Sequence, residues 1–140
     1  KVATRKHGGG GGAWIDEKQM IVVDETIVVD MCLNAMNRMP HLDYWTCYKF
    51  LSMTVFAHEL RHAEQYENNR LLIHRNRISN SFEYMYNGVV FNKQNKMNGL
   101  SYSEWPWEID ARDAANEAVK AIGYDGNLYT SYTKKEIVIE

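Results

Sequence analysis

The stretch TVFAHELRHAEQ, residues 54–65, decides how the rest of the chain is read. It holds His58, Glu59 and His62 in the spacing H-E-x-x-H. On a helix, residues i and i+4 lie one turn apart on the same face. Two imidazole nitrogens at that spacing can reach one zinc ion at about 2.0–2.1 Å. Glu59 lies beside such a metal and not on it. There it can take a proton from zinc-bound water and pass it to a leaving amine. The competing reading is a set of ordinary, satisfied polar residues, and the context argues against it. Leu51 and Val55 continue the face of His58 and His62 in 4-3-4 spacing. That face points to the core, where two histidines and a glutamate are costly to bury without metal or hydrogen bonds.

Working outward, Asp43 is the expected N-cap of a helix running from Tyr44 to about Asn68. Met53, Phe56, Leu60 and Ala63 form a second apolar row, which marks this helix as the central, buried one. Upstream, Asn37-Arg38-Met39-Pro40 reads as a break, because Pro40 disfavours helix in the residue before it. The β-branched runs Ile21–Val23 and Thr26–Val29 favour strands. Asp24-Glu25 between them reads either as a tight hairpin or as an interruption of one strand. Residues 69–100 predict a further helix or an irregular crossing, then a short strand at Gly88–Phe91. A helix begins again near Ser103, with Pro106 in its first turn, a run of alanines and Gly123 as its stop. The end of the chain, KKEIVIE, suits a last strand.

The bulk numbers suit one domain. The chain has 140 residues, 45% of them hydrophobic, and a formal net charge of −2. That balance gives no electrostatic case for nucleic acid, and no apolar run approaches the roughly 20 residues that span a bilayer. Residues 8–12 are five consecutive glycines. Residues 1–12 are expected to be a flexible arm, with residues 13–140 as a single domain. The first residues lack the apolar stretch of a signal peptide, and the expected location is cytoplasmic. Cys32 and Cys47 are too few for a disulfide framework and read as free buried thiols.

A catalytic zinc takes three protein ligands and keeps one position open. The metzincin pattern is absent, because Gln65 and Asn68 stand where that family has glycine and histidine. His74 has no recognised spacing, and His7 and His41 are isolated. The stretch EWPWEIDARDAANEA, residues 104–118, offers Glu108. Glu108, Ala111 and Ala115 share one helical face, and the two alanines let that helix approach another so that Glu108 can reach across. Together, HELRHAEQ and PWEIDARDAA resemble the gluzincins, the glutamate zincins with H-E-x-x-H on one helix and E-x-x-A on a later one. They are especially similar to small zincin-like metallopeptidase domains of bacteria and phages. The ImmA/IrrE type is a more distant relative, and Arg112 stands here where that type has Asn.

The resemblance covers about residues 50–118. It implies a compact α+β zincin-like fold, with a small twisted sheet packed on the central H-E-x-x-H helix and the second ligand-bearing helix. It implies Zn2+ held by His58, His62 and Glu108, with Glu59 as general base. It implies an edge strand that pairs with an extended peptide or protein substrate, for which Thr26–Asp30 is the expected segment. Asp110 and Asp113 are candidates to orient a ligand histidine, against the plainer reading of helix-surface charge. Tyr102 is a candidate to stabilise the oxyanion, against the plainer reading of a packing tyrosine. The function expected is zinc-dependent peptide-bond hydrolysis. The alternative is a catalytically silent zincin-fold structural or interaction protein, of phage origin among other sources.

Overall fold

The structure is a computed structural model that describes residues 2–4, 11–92 and 99–123. It is an α+β fold of three helices and two small sheets. The first sheet has the order β1-β3-β2, formed by β1 (Val2–Thr4), β2 (Gly12–Ile15) and β3 (Met20–Val23). β1 runs parallel to β3, and β2 runs antiparallel to it with Gly12 opposite Val23 and Ile15 opposite Met20. Ile21 and Val22 are both buried, which is the pattern of a central strand covered on both faces. Val2–Thr4 pair with β3, and Gly12 opens β2.

The segment expected to be an edge strand is helical. α1 spans Glu25–Arg38, so Thr26–Asp30 are its first turns and their backbone is committed within the helix. The cause is local. Asp24 is buried and its Oδ1 accepts from the Thr26 and Ile27 amides at 3.0 and 3.3 Å. An N-cap followed by Glu25 in the first turn outweighs the strand preference of the β-branched run. Val28, Met31, Cys32 and Ala35 then bury one face at helical spacing. The helix ends at Arg38, within the expected break at Asn37–Pro40.

α2 spans Tyr44–Glu67 and carries the motif. Asp43 caps it as expected, accepting from the Thr46 amide at 2.9 Å. Leu51, Val55, His58 and His62 are all buried. The second apolar row differs from expectation, because Met53 and Leu60 are exposed and only Ala63 is buried. α2 is central but one side of it meets solvent. α1 packs on its N-terminal half through a core of Val28, Met31, Cys32, Phe50, Leu51 and Val55, and Val23 of the first sheet packs against that core. Cys32 and Cys47 are free and buried.

Residues 71–86 form strands where a helix or irregular crossing was expected, and Val89–Phe91 is the short strand expected at Gly88–Phe91. β4 (Leu71–Asn76), β5 (Ser81–Tyr86) and β6 (Val89–Phe91) make an antiparallel meander. Asn87 and Gly88 turn β5 into β6 with φ of 51° and 81°, the two positive values of a type I′ hairpin turn. Leu71 and Tyr86 of this sheet pack on Trp107. α3 spans Pro106–Ala121, with Pro106 in its first turn and Gly123 at φ 105° beyond its end. The expected strand in KKEIVIE lies outside the described residues.

Candidate metal centre

His58, His62 and Glu108 lie between the two hydrophobic clusters. α2 supplies both histidines and α3 supplies the carboxylate. Ala111 and Ala115 are completely buried, and their small side chains let α3 approach α2 closely enough for Glu108 to reach the histidines. His58 Nε2 is 3.0 Å from Glu108 Oε2. His62 Nε2 is 3.1 Å from His58 Nε2 and 3.3 Å from Glu108 Oε2. Three donor atoms of nitrogen and oxygen thus form a nearly equilateral triangle. A tetrahedral ion with bonds of about 2.0–2.1 Å sets its ligand atoms roughly 3.3 Å apart, so the triangle fits one face of such a site. This buried group can hold a metal ion.

The electrostatics of the metal-free cluster are those of an ion pair. Burial works against the charge on His62, but the hydrogen bond and charge of Glu108 outweigh it and hold the imidazole proton up to about 9. Burial likewise works against the Glu108 carboxylate, and the two histidines outweigh it and hold Glu108 well below the usual carboxylate range. A metal held by the triangle would take the place of the His62 proton.

Glu59 is buried beside the cluster and is not one of its three donors. Burial is the largest influence on its carboxyl and raises its pKa, against the pull of His58 and His62. The Trp14 backbone amide in β2 acts in the opposite sense, as the smallest of these influences. The close approach of β2 rests on Gly12. A Cβ there would stand 2.6 Å from Val55 Cγ1, 2.9 Å from the Val22 carbonyl oxygen and 3.2 Å from Glu59 Cγ.

The other residues weighed in the sequence lie outside the triangle. Asp110 accepts from Gln65 Nε2 at 2.9 Å and from Arg70 at 3.2 Å, so it meets His62 only through Gln65. Asp113 is exposed on α3, as helix-surface charge is. Tyr102 is 61% exposed and packs its ring on Trp105. His74 is exposed on β4, opposite Glu83, and takes no part in the triangle. Two residues of the site were missed in the sequence. Gln65 is completely buried and its Oε1 is 2.8 Å from His62 Nδ1. Tyr66 stands one helical turn past His62. Its phenol is pushed up to about 12 by burial first, then by Asp16, Tyr84, Glu108 and Glu59. Its spacing of four from His62 was the available signal.

No family model, no curated protein and no solved structure matches the chain.

Proposed function

We propose that the chain is a zinc-dependent hydrolase of peptide bonds, of the gluzincin kind. The observation that carries this reading is the buried triangle of His58, His62 and Glu108 with a fourth ionisable group, Glu59, beside it and outside it. His58 Nε2, His62 Nε2 and the Glu108 carboxylate would hold the ion. When bound, zinc supplies Lewis acidity, which polarises a carbonyl and brings the pKa of water down to about 7.

The chain's own part in the reaction falls to Glu59. A carboxylate whose pKa is raised by burial is a stronger base than one in water, and closer to the working pH. Glu59 takes a proton from the attacking water and returns it to the nitrogen that leaves as an amine. Tyr66, half-buried one helical turn past His62, is the phenol that would donate to a developing oxyanion, in preference to the exposed Tyr102.

Among the described residues β2 is an edge of its sheet. A peptide added along β2 would run past Trp14 and Glu59, so Gly12–Ile15 takes the substrate-pairing role that Thr26–Asp30 cannot fill. A second reading, a polar cluster without turnover, draws on the burial of all four groups at 5–8% exposure. The test is a peptide library digested by the zinc-loaded protein and by Glu59→Gln. Cleavage by wild type, with a loss of about 10²–10⁴-fold in a variant that still binds zinc, supports the hydrolase. Equal cleavage by both refutes the role of Glu59, and no cleavage by either favours the silent cluster.

A further inference from the structure

Gln65 is completely buried on α2, three residues after His62. Its amide nitrogen donates to the Trp107 carbonyl oxygen at 3.0 Å and to Asp110 Oδ2 at 2.9 Å. Both partners are acceptors only, so the nitrogen must face them. Turning the amide over would set its oxygen against two acceptors. The orientation of Gln65 is therefore fixed, and its Oε1 is the atom that meets His62 Nδ1 at 2.8 Å. That oxygen can only accept. Nδ1 of His62 must then carry a hydrogen in every state of the ring, and Nε2 is the nitrogen left to bind an ion.

The same side chain ties the two ligand helices together. Trp107 directly precedes Glu108 on α3, so a shift of Gln65 would move His62 and the turn bearing Glu108 against each other. Its anchor is held in turn. Arg70 donates to Asp110 at 3.2 Å and to the two oxygens of Glu64 at 2.6 and 2.8 Å. The chain Glu64–Arg70–Asp110–Gln65–His62 runs from half-exposed charges to the buried ring. Ligand histidines usually give their second N–H to a carboxylate, a backbone carbonyl or water. Here a neutral amide stands between ring and carboxylate, fixing the direction of the ring without adding a charge against it.

We infer that Gln65 is the positioning residue of this centre: it selects the His62 tautomer that presents Nε2 and sets the spacing of His62 from Glu108. The inference rests on the metal reading above. Its test is zinc affinity, measured by competition with a chromophoric chelator, for wild type, Gln65→Leu and Gln65→Met. Gln65→Met keeps the length of the side chain and serves if the branched variant fails to fold. A loss of about 10–100-fold in affinity is expected in either, the range for removing the outer partner of a ligand histidine.

A readout that packing alone would not move accompanies it. In nitrogen-15-labelled, zinc-loaded wild type, His62 Nδ1 should carry a slowly exchanging hydrogen, and that resonance should be lost to solvent exchange in the variants. Wild-type affinity in a folded variant overturns the inference and leaves the metal reading standing. So does a wild-type spectrum in which Nδ1 is the metal-bound nitrogen. A wild type that binds no zinc overturns the metal reading, and the role of Gln65 falls with it.

Discussion

Replacing Gly12 by alanine adds one methyl group at the place where β2 crosses α2. The new carbon would meet Val55 Cγ1 at 2.6 Å and the Val22 carbonyl oxygen at 2.9 Å. Neither yields easily, since Val55 is 2% exposed in the main core and the second atom is backbone of the central strand. Overpacking of a filled core costs about 1–3 kcal/mol. At roughly 4 °C per kcal/mol for a domain of this size, Gly12→Ala should melt about 4–12 °C below wild type. Removing the opposing methyls with Val55→Ala should make the second substitution cheaper in that background than in wild type, a coupling of about 0.5 kcal/mol or more. The functional cost should be separable. The candidate metal donors sit on α2 and α3, so affinity for zinc should change little, while displacement of β2, whose Gly12 lies against Glu59, should lower the proposed peptide hydrolysis. Thermal melts and zinc titrations of the single and double variants check this. A Gly12→Ala protein that melts with wild type would refute the packing of β2 on α2.

Further outcomes follow from the triangle. Glu108→Ala should weaken zinc binding sharply, while His74→Ala, on the exposed face of β4, should leave it unchanged; a chelator competition ranks the two. Zinc affinity should rise about tenfold per pH unit towards about pH 9, because the ion displaces a proton that His62 holds up to about 9. The stability of the chelated protein changes in the opposite direction. The raised His62 contribution to the chelated protein is complete below its unfolded pKa of 6.5 and is lost as pH rises through about 9. Melting curves of zinc-loaded and chelated protein should therefore move apart between pH 6.5 and 9, and curves that converge would contradict the pairing of His62 with Glu108.

The parts of the molecule legible in the sequence are those where local signals agree. Asp43, the 4-3-4 face of α2 and the fixed offset of the two histidines all point one way, and the structure follows them. Glu108 was legible because two alanines beside it announce a close helix contact. Thr26–Val29 misled because strand preference and helix capping competed there, and the buried Asp24 cap decided. The last strand of the meander was legible at Gly88–Phe91, but β4 and β5 were hidden because most of β4 is exposed, so no clean alternation marks it; Asn87-Gly88 was the signal to weigh. The glycines before β2 look like a linker in composition, yet Gly12 is set by contact with α2, a tertiary cause that no local pattern carries. Gln65 was passed over for the same reason. Its partners Trp107 and Asp110 lie on another helix, and only the fold brings them to it.

The central claim is that one ion is held by His58, His62 and Glu108. Anomalous diffraction from crystals of the zinc-loaded protein, recorded on both sides of the zinc absorption edge, tests it most directly. The account predicts a single strong peak inside the triangle, about 2.0–2.1 Å from His58 Nε2, His62 Nε2 and a Glu108 oxygen, with Glu59 outside bonding distance. A triangle without a peak, or a peak ligated by Glu59 in place of Glu108, would contradict it.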